Sequence, residues 1–141
     1  MARTRTTRKA YARAAAVLTE DTAIPFPKDT AASFASKALS ALGWKGGGIN
    51  ILFTDDNGIR RLNSRFKGRK SATDVLAFDT GDIAISVDTA KRNARRFGNT
   101  LSGELKLCMV HGILHLCGYD DTSAPERKVM RAMEKRMLDT L

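Results

Sequence analysis

The chain has 141 residues, 43% of them apolar, and a net charge of +9 from 24 basic and 15 acidic side chains. That length suits one domain with its own core. The composition excludes collagen-like and low-complexity classes, and no apolar run approaches the ~20 residues that span a bilayer, so no membrane partner is expected.

Charge is unevenly spread along the chain. Arg3, Arg5, Arg8, Lys9 and Arg13 give the first 19 residues +5 with no acid, leaving +4 for the rest. A basic body with a basic arm favours a polyanion such as nucleic acid, the alternative being a solubilising tail. Residues 1–27 are read as a basic N-terminal segment, partly mobile because its first residues have little to bury. Within it, "RKAYARAAAV" suits a helix by propensity or a strand by pairing. Residues 28–141 form the expected domain.

Pro25 and Pro27 close the N-terminal segment. Asp29 or Thr30 then caps a helix bearing Phe34, Ala38, Leu39 and Leu42, stopped by Gly43. After the glycine run 46–48, "INILFT" (49–54) reads as a buried strand. Asp55 caps a helix whose apolar face is Ile59, Leu62 and Phe66, ended by Gly68. "VLAF" (75–78) and "IAIS" (83–86), joined by "DTGD", predict an antiparallel hairpin. Asp88 caps a helix with a basic face of Lys91, Arg92, Arg95 and Arg96, stopped by Gly98. From about Ser102 to Cys117 the pattern is apolar nearly all round, which predicts a buried central helix. Gly118 suits the position just past its end. Ser123 and Glu126 form a capping box for a last helix with Val129, Met130, Met133, Met137 and Leu141 on its apolar face. The fold class is therefore α+β: a small single domain, with a mixed sheet of about four strands packed with about five helices. Cys108 and Cys117, nine apart on the central helix, face opposite ways and are read as reduced core residues.

Both histidines of the chain lie on that helix, within "HGILHLCGYDD" (111–121). His111 and His115 are one turn apart on one face, the spacing by which a helix offers two ligands to one metal ion. Two imidazoles on an otherwise apolar helix need partners. Gly118 allows the chain to fold back and present Asp120 or Asp121 as a third ligand. Two histidines and an aspartate leave a coordination position for water, as catalytic zinc sites do. Gly112 stands where an H-E-x-x-H zincin has its glutamate, which counts against an ordinary metalloprotease. Glu104, seven residues before His111 and about 20° away around the helix, is a candidate to hydrogen-bond a ligand or the metal water. The other reading is a first-turn acid favoured by the helix dipole.

"HGILHLCGYDD" resembles the H-G-x-L-H-L-x-G-Y-D-H signature of the YbeY family, metal-dependent endoribonucleases of ribosomal RNA maturation. "LNSRFKGRKSATDVLAFDTGDIAIS" (62–86) is similar to that family's L-N-x-x-Y-R-G-x-x-x-x-T-D-V-L-S-F segment followed by G-D-I, and "GELKLCMVHG" (103–112) to the lead-in to its metal helix. The resemblance covers roughly residues 49–138. It implies one metal, taken as Zn2+, held by three histidines. His111 and His115 match the first two, and the third falls on Asp121. The metal set is accordingly His111, His115 and Asp121; the carboxylate oxygen admits other divalent ions.

The family's functional arginine falls on Lys67, which keeps the charge and loses the bidentate fork that suits phosphate. Arg65 and Arg69 flank it and can share that role. Lys67, Arg65 and Glu104 are thus the candidate catalytic residues, with the basic side chains expected to reach the metal across one cleft. Thr73 and Asp74 match a T-D step, where Asp74 orients a ligand imidazole or holds the start of a strand. The implied substrate is ribosomal RNA, with the small ribosomal subunit as partner and a cytoplasmic location. The acid-free, Arg- and Thr-rich N-terminus gives an organellar address as the alternative. Water and the RNA 2′-OH both stand as candidate nucleophiles. A non-catalytic RNA-binding assembly factor that keeps the fold is the rival function; a small metal hydrolase of peptides or other esters is a further one.

Overall fold

A computed structural model of the chain describes residues 14–68 and 73–141; the arm expectations for residues 1–13, and Arg69, lie outside them. Four strands and five helices make up the described residues, in the order β1 (Ala15–Thr19), α1 (Lys28–Ala41), β2 (Ile49–Thr54), α2 (Asp56–Lys67), β3 (Val75–Phe78), β4 (Asp82–Ser86), α3 (Val87–Phe97), α4 (Leu101–Leu116) and α5 (Ala124–Thr140). The sheet order is β1-β2-β4-β3. β1 and β4 both run parallel to the central β2, while β3 returns antiparallel on β4, which makes the mixed sheet that was expected. β1 pairs Ala15 with Ile49 through to Thr19 with Phe53, so strand pairing decides the ambiguous N-terminal stretch from Ala15 onward. The sheet therefore begins N-terminal to the boundary drawn at residue 28.

Side-chain alternation sorts the sheet into two faces. Ile49, Ile51 and Phe53 of β2 and Ile83 and Ile85 of β4 are buried in the main core with α1, α4 and α5. Phe53 is fully buried; truncation of such a residue to alanine costs about 3–5 kcal/mol. The opposite face carries a smaller cluster in which Ile59 of α2 packs on Leu76 and Ala84, with Leu62 and Phe78 at its edge. Helix α4 holds Leu105, Met109, Val110, Ile113 and Leu114 at zero exposure and is the buried central helix. It lies close against the sheet at Gly112. A methyl group there would meet Cγ2 of Ile83 at 2.8 Å and Cγ2 of Val75 at 3.3 Å, so the absence of a side chain sets the helix-to-sheet distance. No helix of the described residues is long and apolar enough to cross a membrane.

Several helix ends differ from expectation. α1 starts after Pro27, whose carbonyl takes the first amides, so Asp29 and Thr30 lie inside the helix rather than capping it. α3 is capped by Ser86, whose hydroxyl accepts the Thr89 amide at 3.2 Å. Asp88 instead accepts the Asp56 amide at 3.0 Å, supplying a partner to the neighbouring helix. α4 begins one residue earlier than Ser102 and is capped by Thr100. Asp55 and the Ser123–Glu126 box cap α2 and α5 as expected. On α5, Met130 and Met137 are buried, but Val129 is 52% exposed. One position from Met130 is about 100° around the helix, enough to leave the apolar stripe.

Candidate metal centre

The last two turns of α4 carry His111 and His115 to the edge of the core, where each side chain keeps about a quarter or less of its surface exposed. The helix closes at Gly118, in the left-handed region at φ 97°. The Gly118 amide donates to the His115 carbonyl and the Tyr119 amide to the Leu114 carbonyl, both at 3.0 Å, which is the paired C-terminal closure that glycine favours. The reversed chain then brings Asp121 back over the helix. Arg127 of α5 donates to the carbonyls of Asp121 and Thr122 at 3.4 and 3.2 Å and so holds this turn.

Three donor atoms converge there. Nε2 of His111 and Nε2 of His115 are 3.0 Å apart, and Oδ2 of Asp121 lies 3.3 and 3.6 Å from them. A tetrahedral ion with bonds near 2.0–2.1 Å separates its ligand atoms by about 3.3 Å. The three edges straddle that value, and one carboxylate with two imidazoles is a donor set that zinc accepts, so the residues fit the ion. His111, His115 and Asp121 form the cluster of metal-ligating side chains among the described residues. Asp120 turns outward: it is 67% exposed, with its carboxylate 4.0 Å from Nδ1 of His115.

Glu134, on α5, is the member of this site that sequence reasoning missed. Its Oε2 lies 2.7 Å from Nδ1 of His111. An N–H donated from Nδ1 to this carboxylate leaves the Nε2 lone pair free for a metal, the usual arrangement around a ligating histidine. The signal was present in the helical pattern. Glu134 follows Met130 by four residues and precedes Met137 by three, so it is an acid on the buried face of the last helix. Burial works against a charge on His111, but the Glu134 hydrogen bond and charge, aided by Asp121 and Asp74, outweigh it and raise the imidazole above its ordinary range. Burial raises the Cys108 thiol strongly, and Asp74, Glu104 and Glu134 add to this; Cys117 is raised by burial alone. Both cysteines are free, as expected.

The remaining predicted residues divide. Lys67 lines a cleft of about 450 Å³ together with His115, Asp120, Asp121, Asn63 and Asp79, so it shares one cavity with two of the three residues of the ligand cluster. Its Nζ lies 3.4 Å from the Ala77 carbonyl and 5.2 Å from the Phe78 ring centre. Arg65 does not line this cleft; it faces a separate surface with Arg60, Arg61 and Ser64. Two residues on a helix are about 200° apart, so Arg65 and Lys67 cannot point the same way. Glu104 is also placed elsewhere. It is buried in the first turn of α4, where its carboxylate accepts the Asn99 amide at 3.2 Å, and it is not in the ligand cluster. Two helical turns separate it from His111. Asp74 accepts the Val75 amide at 2.9 Å and so holds the start of β3, while its charge still reaches His111.

Known proteins resemble this chain over most of its length. The Endoribonuclease YbeY family pattern matches residues 17–141. An Endoribonuclease YbeY of Aquifex aeolicus is 40% identical over 125 residues, spanning 81% of this chain and 83% of its own. One from Parabacteroides distasonis is 36% identical over 136 residues, spanning 91% and 96%. The solution structure of a Thermotoga maritima protein superposes with a TM-score of 0.61 at 27% identity, covering 89% of this chain and 87% of that one. With the match running from within β1 through the ligand cluster to the last residue of α5 and beyond, the chain belongs to the Endoribonuclease YbeY family.

Proposed function

We propose that this protein is a metal-dependent endoribonuclease whose cleavage site is the cleft between α2, β3 and the end of α4, and that its substrate is single-stranded ribosomal RNA of the small subunit. The convergence of His111 Nε2, His115 Nε2 and Asp121 Oδ2 at the wall of a cleft that also presents Lys67 carries this reading. A single divalent ion, zinc by its donor set, supplies Lewis acidity toward a phosphodiester oxygen when bound. The chain's own residues do the rest. Glu134 holds the proton of His111 on Nδ1 and fixes the plane of the ring. Arg127 and Gly118 keep Asp121 over the helix. Lys67 offers a positive charge to the phosphate across the cleft, as a point charge rather than a two-pronged fork. The family assignment and the basic balance of the chain both support an RNA substrate.

The test is cleavage of a single-stranded ribosomal RNA precursor by the full chain, with its metal removed and then restored. Cutting that disappears with the metal and returns with zinc is the expected result. RNA binding without cutting in the loaded protein would instead favour an assembly factor that retains the fold.

A further inference from the structure

Phe66 is predicted from the sequence to lie on the buried face of α2, yet it is 60% exposed. It is not isolated. Its ring meets that of Phe78 edge-to-face, with centres 5.6 Å apart and planes at 71°. The two rings stand at the boundary between two cavities. Phe78 lines the cleft that holds His115, Asp121 and Lys67. Phe66 and Phe78 together line a second groove of about 630 Å³ on the face of the sheet that α2 leaves partly open, with Leu18, Leu52 and Leu62 as its apolar floor and wall. Leu18 is itself 56% exposed, so this apolar surface continues to the edge strand β1.

Cations sit on this aromatic pair. The Arg65 guanidinium lies 5.6 Å from the Phe66 ring centre, and Lys67 Nζ lies 5.2 Å from that of Phe78. Two acids, Glu20 and Asp82, also line the groove. Glu20 is paired with Arg61 at 3.5 Å. Asp82 is held ionised by hydrogen bonds from Thr80 at 2.7 Å and Asn50 at 3.0 Å, which outweigh its partial burial. The groove thus combines an aromatic pair with cations beside it, an apolar lining, and carboxylate acceptors among its walls. That distribution suits a flat, apolar-faced group with donor edges, attached to an anionic backbone. Exposed aromatics flanked by Arg and Lys are how proteins hold unpaired nucleotides: the ring takes the base, the cations take the phosphates.

We infer that the Phe66–Phe78 pair and the groove beside it form a base-binding subsite, in which an unpaired base next to the scissile phosphate stacks on Phe66 while its phosphate lies toward Lys67. This rests on the reading of the adjoining cleft as the site of RNA cleavage, and it gives that site a selection for single strands. A base can enter the groove only if it is free to leave its stack, so a paired one is excluded. Arg65, which does not line the cleft, acquires a place here as the cation over the stacking ring.

The test is a cycle on the zinc-loaded full chain with a single-stranded RNA and its derivatives carrying one abasic nucleotide at successive positions around the cleavage site. Affinity is read by titration under conditions that prevent cutting. The variants are Phe66→Ala and Phe66→Leu, whose metal content and thermal stability are measured alongside; the side chain is mostly exposed, so both should remain folded. One abasic position should weaken binding to the native chain by about 10- to 100-fold, the range of one base–aromatic stack. At that position alone, Phe66→Ala should be indifferent to the missing base, and Phe66→Leu should recover only part of the loss. Equal losses from Phe66→Ala on intact and abasic RNA at every position would overturn the inference, as would no loss at all, the result expected if the groove seats a protein segment. Failure of the native, loaded chain to bind or cut any RNA would overturn the cleavage reading itself, and so is distinguishable.

Discussion

Glu134 Oε2 and His111 Nδ1 are 2.7 Å apart, although the two residues are 23 positions apart and on different helices. The carboxylate is mostly buried, at 13% exposure, so the bond is shielded from water. It decides which nitrogen of His111 is available to a metal. Glu134→Gln should retain the geometry but weaken the preference for the Nδ1 tautomer, and Glu134→Ala should remove it. Metal affinity measured by chelator competition should fall about 10- to 100-fold for the alanine variant, with the glutamine variant between it and the native chain. Unchanged affinity in both would show that packing alone orients the ring.

Asp121 supplies the third donor atom of the cluster, 3.3 and 3.6 Å from the two imidazole nitrogens. Asp121→Ala should lose most bound zinc while the domain stays folded, because the side chain is 40% exposed and its backbone, not its carboxylate, is held by Arg127. Asp121→His should tighten zinc, since imidazole suits that ion well. Metal analysis of the purified variants checks both. Full zinc content in Asp121→Ala would move the third ligand to Asp120 or to solvent.

Lys67 carries positive charge into the same cleft. Its contacts with the Ala77 carbonyl and the Phe78 ring are exposed ones, so Lys67→Ala should change stability by no more than about 0.5 kcal/mol. RNA cleavage should fall about 10- to 100-fold, the effect of losing one hydrogen bond to a charged group. Lys67→Arg should restore or exceed native activity by offering two parallel donors to a phosphate. Parallel thermal melts and single-turnover cleavage rates separate the two effects.

Asp56 ties the starts of α2 and α3 together. Its Oδ1 accepts the hydroxyls of Ser86 and Thr89, each at 2.7 Å, and its Oδ2 pairs with Arg92 at 2.8 Å. Burial opposes its ionisation, but these partners outweigh burial and hold its pKa below the ordinary 3.8. The stabilisation is therefore complete above the unfolded-state value and is lost as pH falls through the lowered folded-state value. Asp56→Asn should cost about 1–3 kcal/mol at neutral pH. In denaturant titrations, the gap between variant and native chain should narrow below about pH 4. A gap independent of pH would assign the cost to lost shape rather than lost charge.

Much of the architecture was legible because it is local. Apolar residues at helical or alternating spacing, Asp55 and the Ser123–Glu126 box as caps, and Gly68, Gly98 and Gly118 as stops each act within a few residues, and each element they predicted formed. The metal face was legible for the same reason: His111 and His115 share a helix face, and Gly118 lies close enough to Asp121 to return it. What the residues alone left open depends on which surfaces meet. Whether residues 15–19 are helix or strand was settled by pairing with β2, an interaction across more than thirty residues. Lys67 was brought into the cleft with His115 and Asp121, and Glu134 to His111, only when α2 and α5 took their places against the sheet and α4, whereas the divergence of Arg65 from Lys67 follows from their spacing on one helix. The helix starts at Val87 with Ser86 as its cap, so Asp88 lies in the first turn and its carboxylate accepts the Asp56 amide across the helix junction. Local periodicity determines what each segment becomes and which of its faces is apolar. The direction in which a polar side chain points relative to a distant segment is set by packing, because only packing fixes the rotation of one helix against another.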